Sequence, residues 1–321
     1  MSTTIFYHPS GLDHDTGRGH PERPDRLRAV KAALEEEEFA SLTWETAPEA
    51  TRDQLLLAHP EEYVDRIQAA IPTAGSAALD GDTIISPGSG EAALRAAGAG
   101  CAAVDAVLAG RTVNAFCAMR PPGHHAEAEK AMGFCLYSNA AIAALHARRR
   151  HGLKRVAVVD FDVHHGNGTQ DIFYDDPHLF YASTHESPLF PGTGAESETG
   201  VANNILNVPH RSGADGSALR EALAEKILPA LDLFEPELLI ISAGFDAHSN
   251  DPLASSRFEV EDFAFATSAL AGMAEKHCAR RIVSVLEGGY DLEALAISCA
   301  AHVRVLMRAG QVVTENGRGT L

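Results

Sequence analysis

The stretch 155–170, RVAVVDFDVHHGNGTQ, constrains what this chain can become more than any other. Its apolar run, 156–159, is β-branched apart from one alanine and too short for a core helix. Such a run reads as a parallel strand buried on both faces. It stops at Asp160, Asp162, His164 and His165, and Gly166-Asn167-Gly168 then marks a loop. Asp162 and His164 are two positions apart, so extended backbone sends both side chains to the same face. A carboxylate and an imidazole converging at a strand's carboxyl end look like two-thirds of an open zinc site. Taken alone, the same residues also fit a polar strand end whose histidines cap a turn.

The rest of the chain repeats the alternation. Helices are expected over 26–39, 52–58 and 61–71, followed by a Gly-, Ser- and Asp-rich surface loop at 73–90. An Ala-rich helix at 92–109 leads to a strand at 113–119, and a helix at 138–150 leads to the central strand. A helical turn at 170–174 precedes strands at 179–183 and 205–208; a helix at 217–233 precedes the strand 238–242. A helix at 259–277, a strand at 282–286 and a final helix complete the pattern, with one more short strand near 4–7. Strands separated by helices of this length imply a parallel sheet. Ligands in such sheets sit beyond the carboxyl ends of the strands.

No linker, repeat or low-complexity tract divides the 321 residues, so a single α/β domain over 1–321 is expected. A formal net charge of −18 argues against nucleic acid as a direct ligand. An acidic surface is compatible with lysine-rich peptides or polyamines, and equally with plain solubility. The five cysteines, Cys101, Cys117, Cys135, Cys278 and Cys299, are scattered and form no C-x-x-C pair, which points to reduced thiols. Residues 1–10 carry no secretory pattern, and the apolar stretch 92–109 is interrupted by Arg95 and Asp105. The expectation is a cytoplasmic protein without a membrane span.

The loops that follow strands deliver His124 and His125, then Asp160, Asp162, His164 and Asn167, then Asp246, then Tyr290. Asp162, His164 and Asp246 form a two-oxygen, one-nitrogen donor set that suits zinc, and would also accept iron(II) or cobalt. The adjacent His124 and His125 suit proton transfer better than joint ligation. Asp160 and Asn167 are placed to fix their tautomers. Tyr290 follows two glycines, and a phenol exposed there can donate to a developing oxyanion.

Taken together, RPPGHHAEAEKAMGFC, DFDVHHGNGTQ, SPLFPGTG, SAGFDAHSNDPL and LEGGY resemble the signature set of the histone deacetylase superfamily, and HPERPDRLRAV agrees. The HHGNGTQ form, with Asn167, is similar to the class II and bacterial deacetylase-like branch, which includes acetylpolyamine amidohydrolases. The resemblance implies a three-layer arginase/deacetylase fold around an eight-stranded parallel sheet. It implies Zn2+ on Asp162, His164 and Asp246, with His125 as general base and then acid, His124 paired with Asp160, and His125 facing Asn167. Tyr290 looks like the family's carbonyl-polarising tyrosine. Phe134 and Phe190 match the aromatics flanking the substrate's alkyl chain, with Gly133 beside the first. Asp82 resembles a rim aspartate that grips peptide backbone, and Arg26 the arginine of an internal acetate channel. A structural K+ is implied near Asp160, Asp162, His164 and Ser183.

The reaction implied is hydrolysis of an N-acyl amide on an aliphatic amine, most simply N-acetyl-lysine in a peptide or protein, releasing acetate. An acetylated polyamine is the alternative substrate. Leu253, apolar where polyamine-selective relatives place an acid, leans against it, while Glu127 and Glu129 could still supply acidic character at the mouth. A non-catalytic acyl-lysine-binding protein is the alternative of another class. An arginase-type ureohydrolase needs a second metal and further aspartates that this set does not supply. Oligomerisation is possible.

Overall fold

The computed structural model of the chain describes residues 3–316, with side chains as far as residue 311. The elements, in chain order, are β1 (Thr3–Tyr7), α1 (Pro24–Leu34), β2 (Thr43–Thr46), α2 (Arg52–Leu55), α3 (Glu61–Ala70), β3 (Ala77–Ala78), β4 (Ile84–Ile85) and α4 (Ser89–Leu108). They continue with β5 (Asn114–Ala118), α5 (Asn139–His151), β6 (Val156–Asp160), α6 (Asn167–Phe173), β7 (Leu179–Glu186) and β8 (Ile205–His210). The last are α7 (Gly216–Glu221), α8 (Leu228–Phe234), β9 (Leu238–Ala243), α9 (Val260–His277), β10 (Ile282–Leu286) and α10 (Leu292–Asn316).

Eight strands form one sheet in the order β2-β1-β5-β10-β9-β6-β7-β8, and every pairing in it is parallel. The central strands are buried on both faces, and alternate residues supply different cores. Val156 and Val158 join alanines of α4 and α5 on one side, whereas Ala157 and Val159 join residues of α1, α9 and α10 on the other. That division makes three layers, and it follows from the period-two geometry of a strand. A further cluster packs α2 and α3 on the outer face of α4 and α5. Among the described residues no helix is long and apolar enough to cross a membrane, so α4 is a core helix as expected.

Several boundaries differ from the sequence reading. The first helix ends at Leu34 instead of running to 39, and Glu37–Phe39 forms a separate 3-10 turn. Successive glutamates at the negative end of a helix dipole oppose its extension. The loop 73–90 contains the small β3-β4 hairpin. The helical stretch 217–233 is split by a π-helical segment, Ala222–Ile227, just before Pro229, which has no N–H to offer the preceding turn. The edge strand β2 went unread because TWET is short and mostly exposed.

Register fixes where the chemistry falls. Asp160 at the end of β6 stands level with Ser183 of β7 and Ser242 of β9. The loops leaving β5, β6, β9 and β10 start from adjacent strands, so their polar residues meet at one rim. This frame rests on buried aliphatic contacts worth about 1.5–3 kcal/mol per side chain. Replacing Ile240, fully buried in β9, with alanine is expected to lower unfolding stability by about 2–5 kcal/mol in urea titration. The same change at Leu233, 88% exposed, should stay within about 0.5 kcal/mol.

Candidate active site

The rim gathers one buried imidazole and two buried carboxylates. Atoms of Asp162, His164 and Asp246 that could serve as metal ligands lie within 4.8 Å of one another, and all three residues are buried. His164 Nδ1 is 3.0 Å from Asp162 Oδ1 and 3.1 Å from Asp246 Oδ2. Backbone amides hold the carboxylates in place: Gly288 N donates to Asp162 Oδ2 at 2.8 Å, and Val163 N to Asp246 Oδ1 at 2.9 Å. A Cβ at Gly288 would fall 2.0 Å from Asp246 Oδ2, and one at Gly244 2.1 Å from Asp162 Oδ2. Glycine at both positions is therefore a condition for the carboxylates to approach.

Electrostatics complement this geometry. Burial and the charge of Asp162 push the Asp246 carboxyl up to about 7. Asp162 itself is held well below the ordinary carboxylate range: burial acts against ionisation, but the charges of His124 and His164 outweigh it. Against the effect of burial, Asp162 and Asp246 hold the His164 imidazole up to about 10; two carboxylates and an imidazole at such spacing fit a divalent cation, which would displace that proton.

His124 and His125 stand beside this group with rings 4.0 Å apart, and their surroundings differ. His124 Nδ1 is 2.9 Å from Asp160 Oδ2, which also accepts from the Tyr181 hydroxyl at 3.1 Å. Burial disfavours its charge, yet Asp162 and Asp160 raise its pKa well above the usual histidine value. His125 goes the other way, lowered by burial and then by the charges of His124 and His164. Its Nδ1 is 2.8 Å from Asn167 Oδ1, while Asn167 Nδ2 donates to Glu127 Oε1 at 2.7 Å. That second bond orients the amide, so Oδ1 accepts, the His125 proton sits on Nδ1, and Nε2 keeps its lone pair.

A cavity of about 240 Å³ opens above, lined by Pro21, Asp82, His125, Gly133, Phe134, His164, Leu189, Phe190, Leu253 and Tyr290. Phe190 packs its ring on His125 at 5.0 Å, and Phe134 meets Tyr290 at 5.8 Å. Gly133 has φ +56°, and a Cβ there would strike the His125 ring at 2.5 Å. Phe134 follows at φ 69°, with its amide held by Thr83 Oγ1 of the β3-β4 hairpin at 3.1 Å. The same hairpin carries Asp82 to the cavity wall. Tyr290 is fixed by its backbone N, which donates to Asp251 Oδ2 at 2.6 Å, and its phenol is raised well above its usual pKa, chiefly by burial.

Every residue singled out from the sequence is accounted for in this region or beside it. Arg26 is fully buried, its guanidinium 4.8 Å from the Tyr290 ring and bonded to Glu22 and to the carbonyls of Glu287 and Gly289. Ser183 stands beside Asp160 but bonds His185 Nδ1 at 2.9 Å. Glu127 and Glu129 do not line the cavity: the first is tied to Asn167 and the second is exposed on a turn.

Three residues went unassigned in the sequence reading. Glu287 accepts from Gly123 N at 2.7 Å, His124 N at 3.1 Å and Ser242 Oγ at 3.1 Å, and burial pushes it up to about 7. An acid at the end of the run IVSVL is the same signal that marked Asp160. Glu22, between histidine-proline and arginine-proline, bridges Arg26 and Arg120 with no solvent exposure. Asp251, hidden in SNDPL, accepts from the amides of Leu253, Tyr290 and Asp291.

Comparison with known proteins places this geometry. A family model described as histone deacetylase domain matches residues 20–306. The chain is 42% identical over 291 residues to a histone deacetylase-like amidohydrolase of Pseudomonas aeruginosa, covering 89% of this chain and 76% of that one. It is 38% identical over 299 residues to a probable deacetylase of Archaeoglobus fulgidus, covering 91% and 82% respectively. The crystal structure of the HDA15 HD domain superposes with a TM-score of 0.90 at 36% identity, over 96% of this chain and 90% of that one. The chain therefore belongs to the histone deacetylase family and is a hydrolase acting on amide bonds.

Proposed function

We propose that this protein is a zinc-dependent deacylase of N-acyl-lysine side chains, releasing acetate from N-acetyl-lysine. The observation that carries the reading is the Asp162, His164 and Asp246 donor set below a cavity lined by two phenylalanines and one tyrosine. Asp162, His164 and Asp246 would hold the ion. When bound, zinc supplies Lewis acidity, polarising the amide carbonyl and lowering the pKa of the attacking water.

The protein's own groups do the rest. Phe134 and Phe190 flank the aliphatic stem of the substrate, with Gly133 beside the first, Leu253 adding apolar surface and Asp82 gripping peptide backbone at the rim. His125 takes the proton of the attacking water on Nε2, the nitrogen that Asn167 leaves free, and then returns it to the leaving amine. His124, paired with Asp160, places positive charge beside the developing anion. Tyr290 donates its phenolic proton in a hydrogen bond to the oxyanion. Arg26, under the Tyr290 ring, marks the inner end of the site on the acetate's way out. A structural K+ is part of the reading, near Asp160, Asp162, His164 and Ser183; the level pairing of Asp160 with Ser183 supports it.

The apolar Leu253 and the withdrawal of Glu127 and Glu129 from the cavity favour acyl-lysine over an acetylated polyamine. The net charge of −18 speaks against a nucleic-acid ligand and is compatible with lysine-rich substrates. All five cysteines are free and buried, which supports a reducing, cytoplasmic setting.

Two measurements test this reading. Tyr290→Phe is expected to lower kcat on an acetyl-lysine peptide about 10²–10³-fold with little change in KM, and near-normal turnover would remove the tyrosine from the mechanism. Steady-state kcat/KM should favour an acetyl-lysine peptide over N-acetylputrescine; the reverse order would move the assignment to a polyamine amidohydrolase.

A further inference from the structure

A second group of ligand-type side chains lies on the opposite rim of the sheet. Helices α4 and α5 run directly into β5 and β6, so both helices end beside the amino ends of those strands. The active site lies past the carboxyl ends. In the last turn of α4 sits Asp105, and in the last two turns of α5 sit His146 and His151. Asp105 Oδ1 is 2.9 Å from His146 Nε2 and 2.6 Å from His151 Nε2, and ligand atoms of all three lie within 4.8 Å of one another.

From this geometry we infer a second, peripheral binding site for a divalent transition-metal ion, made by Asp105, His146 and His151. Both imidazoles present the same kind of nitrogen, Nε2, to one carboxylate oxygen, and the two rings stand 6.0 Å apart. Two neutral imidazoles and a carboxylate are borderline-to-hard donors that suit Zn2+, with Ni2+ and Cu2+ also acceptable by donor type. Placement adds to the donor chemistry. The carbonyl ends of two helix dipoles converge here, and each favours a cation. His146 is buried beneath the cluster while His151 is exposed, so one side of the site is anchored and the other faces solvent. Arg149 and Arg150, exposed in the same turn, oppose a cation. The site is accordingly weaker than one built from two buried carboxylates.

The bound ion would clip α4 to α5, two helices that otherwise meet through small alanine side chains. Its consequence is thermal stability, without effect on turnover, because no residue of the cluster reaches the catalytic cavity.

The test is equilibrium dialysis of the full chain against Zn2+, with metal content and thermal unfolding read together. The wild-type protein should take up two equivalents, the second with lower affinity, and its Tm should rise as the second binds. His151→Ala, at an exposed helix end, should weaken the second equivalent by at least about tenfold, the cost of disturbing even a ligand's hydrogen-bond partner. It should also abolish the rise in Tm while leaving deacylation unchanged. Asp105→Asn should do the same without truncating a side chain. Asp246→Ala should remove the other equivalent and leave this one, so failure at either site is seen separately. A single equivalent in the wild type, or a second that survives both His151→Ala and Asp105→Asn, would overturn the inference and leave the cluster as a hydrogen-bonded helix clasp.

Discussion

Two buried carboxylates, Asp162 and Asp246, lie against the imidazole of His164, and the surrounding backbone makes that arrangement tolerable. Burying one charge is costly, and burying two like charges side by side is worse unless each is bonded and compensated. The chain answers from behind with the amides of Val163, His164 and Gly288. It also removes side chains where they would collide, at Gly244 and Gly288. The donor set suits a cation, and the ring of His164 lines the open cavity through which one could enter.

A second tier of contacts fixes the orientation of the two neighbouring histidines. Glu127 orients Asn167, Asn167 fixes the His125 tautomer, and Gly133 leaves room for the His125 ring. Asp160 and Glu287 together hold His124, one at its ring and one at its backbone amide. Two neighbouring histidines are thereby shifted in opposite directions, His124 up by the charges of Asp162 and Asp160 and His125 down by burial. Further in, Glu22 with Arg26 and Arg120 joins the segment before α1 to the backbone of Glu287 and Gly289, and so to Tyr290. Removing one member of such a buried charge group leaves the others unpaired, so this link is as demanding as the pocket it supports.

The parts legible in the sequence were those with a strong local signature. Apolar runs such as those ending at Asp160 and Leu286 are strands because they are buried on both sides, and Asp160 at the end of the first marks the rim, whereas Glu287 after the second gives the same signal and was passed over. The same rule placed His124, His125, Asp246 and Tyr290. Other parts depend on partners distant in sequence and leave little local trace. Glu22 reads as one acid among several near the N-terminus until it meets Arg120, 98 positions away. Glu127 looked like a candidate for the cavity mouth, but nothing in its neighbourhood announced Asn167 as its partner. The strand β2 has no buried face to give it a pattern, and α1 stops where its charges, not its apolar spacing, turn unfavourable.

Asp162, His164 and Asp246 are proposed to hold one catalytic ion. Anomalous diffraction at the zinc edge from crystals of the active enzyme tests it most directly. A peak is expected between the three side chains, about 2.0–2.2 Å from a carboxylate oxygen of each aspartate and from a His164 nitrogen. Active crystals with no peak at that position, under conditions where zinc is present, would contradict it.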